Sequence, residues 1–305
     1  MRLGILRSNG VWEIESFVDD VAAAADAGFS SYWIPNLDVQ VDSLMALAIA
    51  GPRVPGIELG AGIVPVWTQH PLALGQAALT AASVLDGRLS LGVGIVSKPA
   101  VEHTWGIPFE RPITFMREYL EILHPVLANK PVHYTGQLLT ARAPAILPVA
   151  PEPPLYLAAL GTQMLRLAGS HSDGAILFLT GPKTVANHTT PLLSAAAKAA
   201  GRPAPRLMAG IPVLCTDDVE AGRKLAGKKY AAWASWPHYR AMFDLEGVNG
   251  AEDIALIGNE AAIRDGLRAY FAAGADDVLC YEFGETQTDL RRTRACLTEL
   301  VKEAA

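Results

Sequence analysis

Three short stretches carry residue types that could bind or transform a ligand. Gly60-Ala61-Gly62 puts two glycines into an apolar run where β-branched residues are expected, which marks either a tight corner or a bulge at which a ligand meets backbone. Gly161-Thr162-Gln163 stands where another apolar run gives way to helical spacing. Free N–H groups and the positive end of a helix would suit a phosphate there, and a plain helix cap by Thr162 accounts for the same residues. Ser97, Lys98, Glu102 and His103 bring hydroxyl, amine, carboxylate and imidazole into one short stretch. Gly92 and Gly94 lack the third glycine and helix start of a dinucleotide fingerprint. No Ser/His/Asp grouping, HExxH or P-loop occurs, and the seven histidines are scattered, so hydrolysis by metal or nucleophile has little support. A cofactor that brings its own reactivity fits better.

The elements that must position these residues follow from hydrophobic periodicity. Short apolar runs alternate with longer helical segments, the pattern of a parallel sheet covered by helices. Strands are expected at Leu3 to Arg7, Ser30 to Ile34, Ile57 to Ile63, Leu89 to Gly94, Leu155 to Ala159, Gly174 to Phe178, Leu207 to Leu214 and Asp277 to Glu282. Helices are expected from Trp12 to Ala27, from His70-Pro71 to Asp86-Gly87, from Glu260 to Ala273 and from Glu285 to Ala304. Eight such units make a (β/α)8 TIM-type barrel, whose sites lie at the carboxyl ends of the strands. That rule selects Ser8 and Asn9, Asn36 and Asp38, Pro65, Trp67 and Gln69, Ser97, Lys98, Glu102 and His103, Gly161 and Thr162, and Glu282.

Composition agrees with one large domain spanning residues 1–305. Half of the residues are hydrophobic and 18% are charged, against roughly 25% in an average soluble domain. A net charge of -6 offers no basic field for nucleic acid. Cys215, Cys280 and Cys296 are widely spaced, which suggests neither a disulfide framework nor a zinc site, and no metal is expected. The amino terminus lacks the features of a secretory signal, and no apolar run approaches the roughly 20 residues that span a bilayer, so a cytoplasmic address is expected. Two insertions interrupt the repeat. Residues 131–153 contain Tyr134-Thr135-Gly136-Gln137, a turn between Val132-His133 and Leu138-Leu139. Residues 230–259 carry Trp233, Trp236, Tyr239 and Phe243, read first as a helix packed on the barrel and second as a substrate pocket.

Several segments together resemble the luciferase-like monooxygenase (bacterial luciferase-like) superfamily. They are Gly62-Ile63, His70-Pro71-Leu72-Ala73, Asp86-Gly87-Arg88-Leu89-Ser90-Leu91-Gly92-Val93-Gly94, Gly106-Ile107-Pro108-Phe109 and Arg117-Glu118-Tyr119-Leu120, continued by Asp173-Gly174-Ala175, Ile257-Gly258-Asn259 and Gly274-Ala275-Asp276. Within it the chain is most similar to the coenzyme F420-dependent oxidoreductases, through Trp33-Ile34-Pro35-Asn36 and residues 117–120. The resemblance implies a non-prolyl cis peptide near Gly62 and Ile63 behind a tricyclic ring. It also implies phosphate contacts at Gly161 and Thr162, and Gly94, Ile95 and Ser97 near the ring or its tail.

Its expected activity is hydride transfer between coenzyme F420 and a small organic substrate. The alternatives are an FMN-dependent monooxygenase on the same barrel and a non-catalytic flavin-binding barrel. The sugar-phosphate dehydrogenases of the superfamily have an Asp-His pair after strand two and a Glu after strand four, where this chain has Asn36-Leu37 and Ser97. Glu102 and His103 are then the nearest titratable candidates for proton transfer. Each also reads as an ordinary loop residue. Asn36 would orient cofactor or substrate through its amide. A small-molecule substrate and a possible homodimer are the expected partners, without nucleic acid or membrane.

Overall fold

A computed structural model describes residues 1–7, 13–36, 41–145 and 150–304. Its parallel strands close a barrel: β1 (Arg2–Leu6), β2 (Ser31–Ile34), β3 (Glu58–Pro65), β4 (Leu89–Gly94), then, after a separate antiparallel hairpin of β5 (Val132–Thr135) and β6 (Thr140–Ala143), β7 (Leu155–Ala158), β8 (Gly174–Phe178), β9 (Arg206–Cys215) and, past the short β10 (Leu256–Gly258), β11 (Asp277–Glu282). The order β9-β11-β1-β2-β3-β4-β7-β8 closes through a β8–β9 pairing, so the ring has eight strands and is the expected (β/α)8 TIM-type barrel. β9 outruns β8, and its end, Val213 to Cys215, pairs with β10, an added strand too short for periodicity to reveal.

Helices cover the ring in chain order. They are α1 (Ile14–Asp26), α2 (Ser43–Ala50), α3 (Pro71–Val84), α4 (Pro112–Leu127), α5 (Thr162–His171), α6 (Pro182–Thr184), α7 (Thr190–Ala199), α8 (Val219–Lys229), α9 (Ala231–Ser235), α10 (Pro237–Glu246), α11 (Ala251–Ile254), α12 (Glu260–Ala272) and α13 (Gln287–Ala304). The punctuation is as expected at α3, where Pro71 opens the helix and His70 Nδ1 accepts from the Leu72 N–H at 3.2 Å. Among the described residues no helix is long and apolar enough to cross a membrane.

Strand alternation sorts the core. Leu3, Ile5, Tyr32, Ile34, Leu59, Ala61, Leu89, Leu91 and Val93 pack outward with the helices, while Leu6, Trp33, Tyr156, Ile176, Met208, Leu279 and Tyr281 form a second cluster inside the ring. At its amino end the lumen is closed by charge. The Arg206 guanidinium donates to both carboxylates of Glu58 and Asp277 at 2.7–2.9 Å and to the Tyr156 hydroxyl at 3.2 Å, and Arg2 adds bonds to the same two acids.

The hairpin departs from expectation at both ends of its turn: Tyr134 and Thr135, expected in the turn, continue the first strand. Its second strand starts at Thr140, not Leu138, because the Glu118 carboxylate accepts the N–H groups of Gln137, Leu138 and Leu139 at 2.8–2.9 Å and takes them out of the ladder. Burial pushes that carboxyl up, and the three donors together with Arg111 more than reverse it, holding Glu118 below the usual carboxylate range. The insertion at 230–259 is a run of helices beside β8, β9 and β11. Its Glu246 accepts the N–H groups of Lys183 and Thr184 and so caps α6.

Candidate active site

The carboxyl end of the lumen is unequal in lining. β3 and β4 contribute glycines at their inward positions: Gly60, Gly62, Gly92 and Gly94. A Cβ on Gly60 would overlap the Trp33 indole, one on Gly62 would come within 2.9 Å of it, and one on Gly92 would come within 2.7 Å of Ile176 Cδ1. Register between β3 and β4 slips from Ala61 to Val64, and the Gly62–Ile63 peptide is cis, at the place the resemblance implied. The slip turns the Ile63 side chain into the lumen over Gly94, where a Cβ would collide with it. Of the two sequence readings of Gly60-Ala61-Gly62, the bulge is present, and the glycines also make room for Trp33, which neither reading foresaw.

Asn36 is tied to this bulge. Its N–H donates to the Ile63 carbonyl at 3.1 Å, and its Oδ1 accepts from the Ser43 N–H, in the first turn of α2, also at 3.1 Å. The side-chain oxygen is thus engaged with the scaffold. Ile95 gives its carbonyl to Trp67 Nε1 at 2.9 Å, and Trp67 stacks on Phe115 with ring centres 4.2 Å apart. Val96, between Ile95 and Ser97, has φ +48°, a left-handed conformation rare for a β-branched residue, of the kind that gathers at functional sites. Leu179, just after β8, has φ +51°. Ser97 is buried, and its hydroxyl accepts weakly from Ala100 N–H at 3.4 Å.

Gly161 is the N-cap of α5 and Thr162 its first helical residue, with no side-chain cap bond. The simple explanation of Thr162 as a cap is therefore corrected: Gly161, in extended backbone, occupies the cap position. Nothing lies within 4 Å of where its Cβ would be, and no side chain caps the first turn.

Glu102 and His103 follow β4. They lie on a single wide helical turn, Ala100–Thr104. Glu102 accepts from Phe109 N–H at 3.4 Å and pairs with Lys98 at 3.6 Å, while His103 is exposed. Glu282 faces outward, held bidentately by Arg294 at 2.6 Å, and burial pushes its carboxyl up. Ser8, Asn9 and Asp38 lie outside the described residues, as do Trp12 and Leu37.

Opposite the glycines stands an aromatic wall that sequence reasoning only half found. Phe178 and Tyr281, inward residues of β8 and β11, have ring centres 5.6 Å apart. Tyr230 and Trp233 of the 230–259 insertion pack on Phe178 at 6.4 and 6.3 Å. The helix-packing reading holds for Phe243, which is core, while Trp233 is only half-buried. A cavity of about 320 Å3 bordered by Glu58, Arg88, Ser90 and Arg206 lies at the opposite, amino end. Its arginines are already saturated, Arg206 by two carboxylates and Arg88 by the carbonyls of Gly51, Val54 and Ile57, and that end of such barrels serves stability.

Comparison with known proteins agrees with this geometry. The chain is similar to 5,10-methylenetetrahydromethanopterin reductase of Archaeoglobus fulgidus, 29% identical over 172 residues that make up 56% of this chain and 51% of that one. It thus spans about half the length of the curated relatives it matches. Its fold is shared with coenzyme F420-dependent tetrahydromethanopterin reductase of Methanopyrus kandleri, at a TM-score of 0.83 and 20% identity over 99% of each chain. It is shared equally with the FMN complex of the oxygenating constituent of 3,6-diketocamphane monooxygenase from Pseudomonas putida, at a TM-score of 0.79 and 18% identity over 100% of this chain and 98% of that one. The family model described as luciferase-like monooxygenase matches residues 1–277, and with the barrel and its bulge in place, the chain belongs to that family.

Proposed function

We propose that the protein is an oxidoreductase that transfers a hydride between coenzyme F420 and a small organic substrate. The observation that carries this reading is the unequal lumen. The bulge, with Ile63 turned over Gly94, would back one side of a flat ring system, and an aromatic face suits a second flat molecule against it. The relatives named for F420 add support.

The residues present fit such a group. Gly62 and Ile63 would back the ring, Gly94, Ile95 and Ser97 would border it, and the open first turn of α5 at Gly161 and Thr162 would take a tail phosphate. Asn36 would orient ring or substrate through Nδ2. F420 has carbon at position five of its ring and is confined to hydride chemistry, whereas FMN has nitrogen there and can also activate oxygen. Glu102, committed to Lys98, and the exposed His103 are not the proton donors in this reading. Titrating the purified protein with F420 and with FMN, followed by cofactor fluorescence and thermal stability, tests it. Binding of F420 alone is expected, and a preference for FMN would overturn it in favour of the monooxygenase.

A second copy of the chain is the partner this reading adds, in the cytoplasm. α2 and α3 carry no charged residue, and their packed outer face exposes Met45 (71%), Ile49 (46%) and Val84 (44%). A solvent-facing helix surface ordinarily carries charge. An apolar, uncharged face is complementary to itself, as a twofold dimer requires.

A further inference from the structure

We propose that Trp67 is a positioning residue for the cofactor: by donating its indole N–H to the Ile95 carbonyl, it holds the backbone from Ile95 to Ser97, with Val96 left-handed, in the shape that borders the ring. The inference deepens the hydride-transfer reading and rests on it for what that backbone meets.

The ladder that fixes β4 stops short of these residues. Its last pairs are Val93 with Leu157 of β7 and Gly94 with Pro65 of β3, and after Pro65 the chain turns into the short helical turn Val66–Thr68. A carbonyl leaving a strand end still needs a donor. The Trp67 indole supplies it at 2.9 Å and carries the link between β3 and β4 one residue past the ladder. The next residue, Val96, has φ +48°, where a β-branched side chain crowds its own backbone, and such a conformation persists only when the surroundings impose it. Two bonds flank it: the indole on Ile95, and the Val101 N–H on the Ser97 carbonyl at 3.1 Å. The second is local to the turn that follows, whereas the first reaches across from the end of another strand. Ile63 of the bulge packs over Gly94, directly before these residues, so the bulge and the Ile95 to Ser97 backbone adjoin.

The indole is itself held. It stacks on Phe115, with ring centres 4.2 Å and planes 13° apart, and Phe109 lies 5.2 Å away. Phe115 packs in turn on Tyr119, one turn along α4, at 6.0 Å. The buried Tyr119 donates its hydroxyl to the Gln69 carbonyl at 3.2 Å, which fastens the turn that carries Trp67. A donor held in place by its neighbours gives up little freedom when it bonds. Phenylalanine would make the same stack without the donor, so the choice of tryptophan points to the bond. A backbone already in its bound shape matters to a ligand in a definite way: affinity falls by the fraction of molecules that have lost that shape.

Trp67→Phe keeps the stack on Phe115 and removes the N–H. Val96 is then expected to leave the left-handed region. Cofactor affinity, titrated with whichever of F420 and FMN the wild type binds, should fall about tenfold, the competent backbone having become a minor population. Adding Val96→Gly to Trp67→Phe should recover affinity to within about threefold of the wild type, because glycine takes positive φ about as readily as negative. Val96 is half-exposed, so its loss opens no core cavity. A mere loss of packing at Trp67 would not be repaired by a glycine. The conformation of Val96 is read without cofactor from the Cα and Cβ chemical shifts of the full chain carrying isotope-labelled valine, with thermal stability measured on each variant. Three results would each overturn the proposal: an affinity of Trp67→Phe equal to the wild type, a double variant no better than Trp67→Phe, or Val96 shifts that stay put in Trp67→Phe. Failure of the wild type to bind F420 would sink the hydride-transfer assignment instead, and the Val96 shifts would then still decide the role of Trp67.

Discussion

Single residues separate the groups that build the barrel from those that serve a ligand. Arg206 belongs to the first kind: it neutralises Glu58 and Asp277, and the Asp277 side chain is fully buried. Arg206→Met should lower stability by about 3–5 kcal/mol, because a buried carboxylate is left without its partner, and urea unfolding would measure it. A loss under about 1 kcal/mol would mean that Arg2 alone suffices. Gly161 belongs to the second kind. Its open cap position accepts a side chain, so Gly161→Asp should leave the melting temperature unchanged or slightly higher, aspartate being a good N-cap. The same carboxylate would repel a phosphate, and F420 affinity should fall at least about tenfold. Unchanged affinity would remove the phosphate from α5. Glycine and threonine at 161–162 were readable as a candidate in sequence. That the glycine was the cap required the backbone.

Elements show how a signature residue can be structural. Glu118, within the family-like run Arg117 to Leu120, clamps the turn between β5 and β6, and a Cβ on Gly136 would overlap it. Its folded pKa lies below the unfolded value of about 4.3, so its contribution is fully present above that value and is lost as pH falls through the folded one. Glu118→Gln should cost about 2 kcal/mol near neutral pH and flatten the acid limb of stability. Urea unfolding from about pH 3 to about pH 6 tests this, and parallel acid limbs for wild type and variant would refute it. The clamp also explains why periodicity placed the second hairpin strand two residues early: Leu138 and Leu139 look like strand and spend their N–H groups on a carboxylate. The barrel strands were legible to within about two residues because one face of each must be apolar toward the helices. β10 was not, since Leu256–Gly258 is too short to show a period and forms only where β9 outruns β8.

For the whole molecule, the uncharged face of α2 and α3 makes a direct forecast. Met45→Lys combined with Ile49→Lys should yield a folded monomer, and light scattering coupled to size exclusion would compare it with a wild-type dimer. A wild-type monomer would refute the second-copy reading. The site as a whole was only partly legible. Glycines, Asn36 and the start of α5 announce themselves by type and position. The packing of Tyr230 on Phe178 and Tyr281 does not, since the C-terminal cap of α8 meets the ends of β8 and β11 only after the chain has folded. One feature of that folding reaches further. The aromatic insertion is fastened twice, by β10 to the overhang of β9 and by Glu246 to the first turn after β8, whereas the glycine bulge belongs to β3 and β4. If the bulge holds the cofactor, as proposed, replacing the insertion would leave the strands that carry it untouched: the two are fastened to separate arcs of one ring.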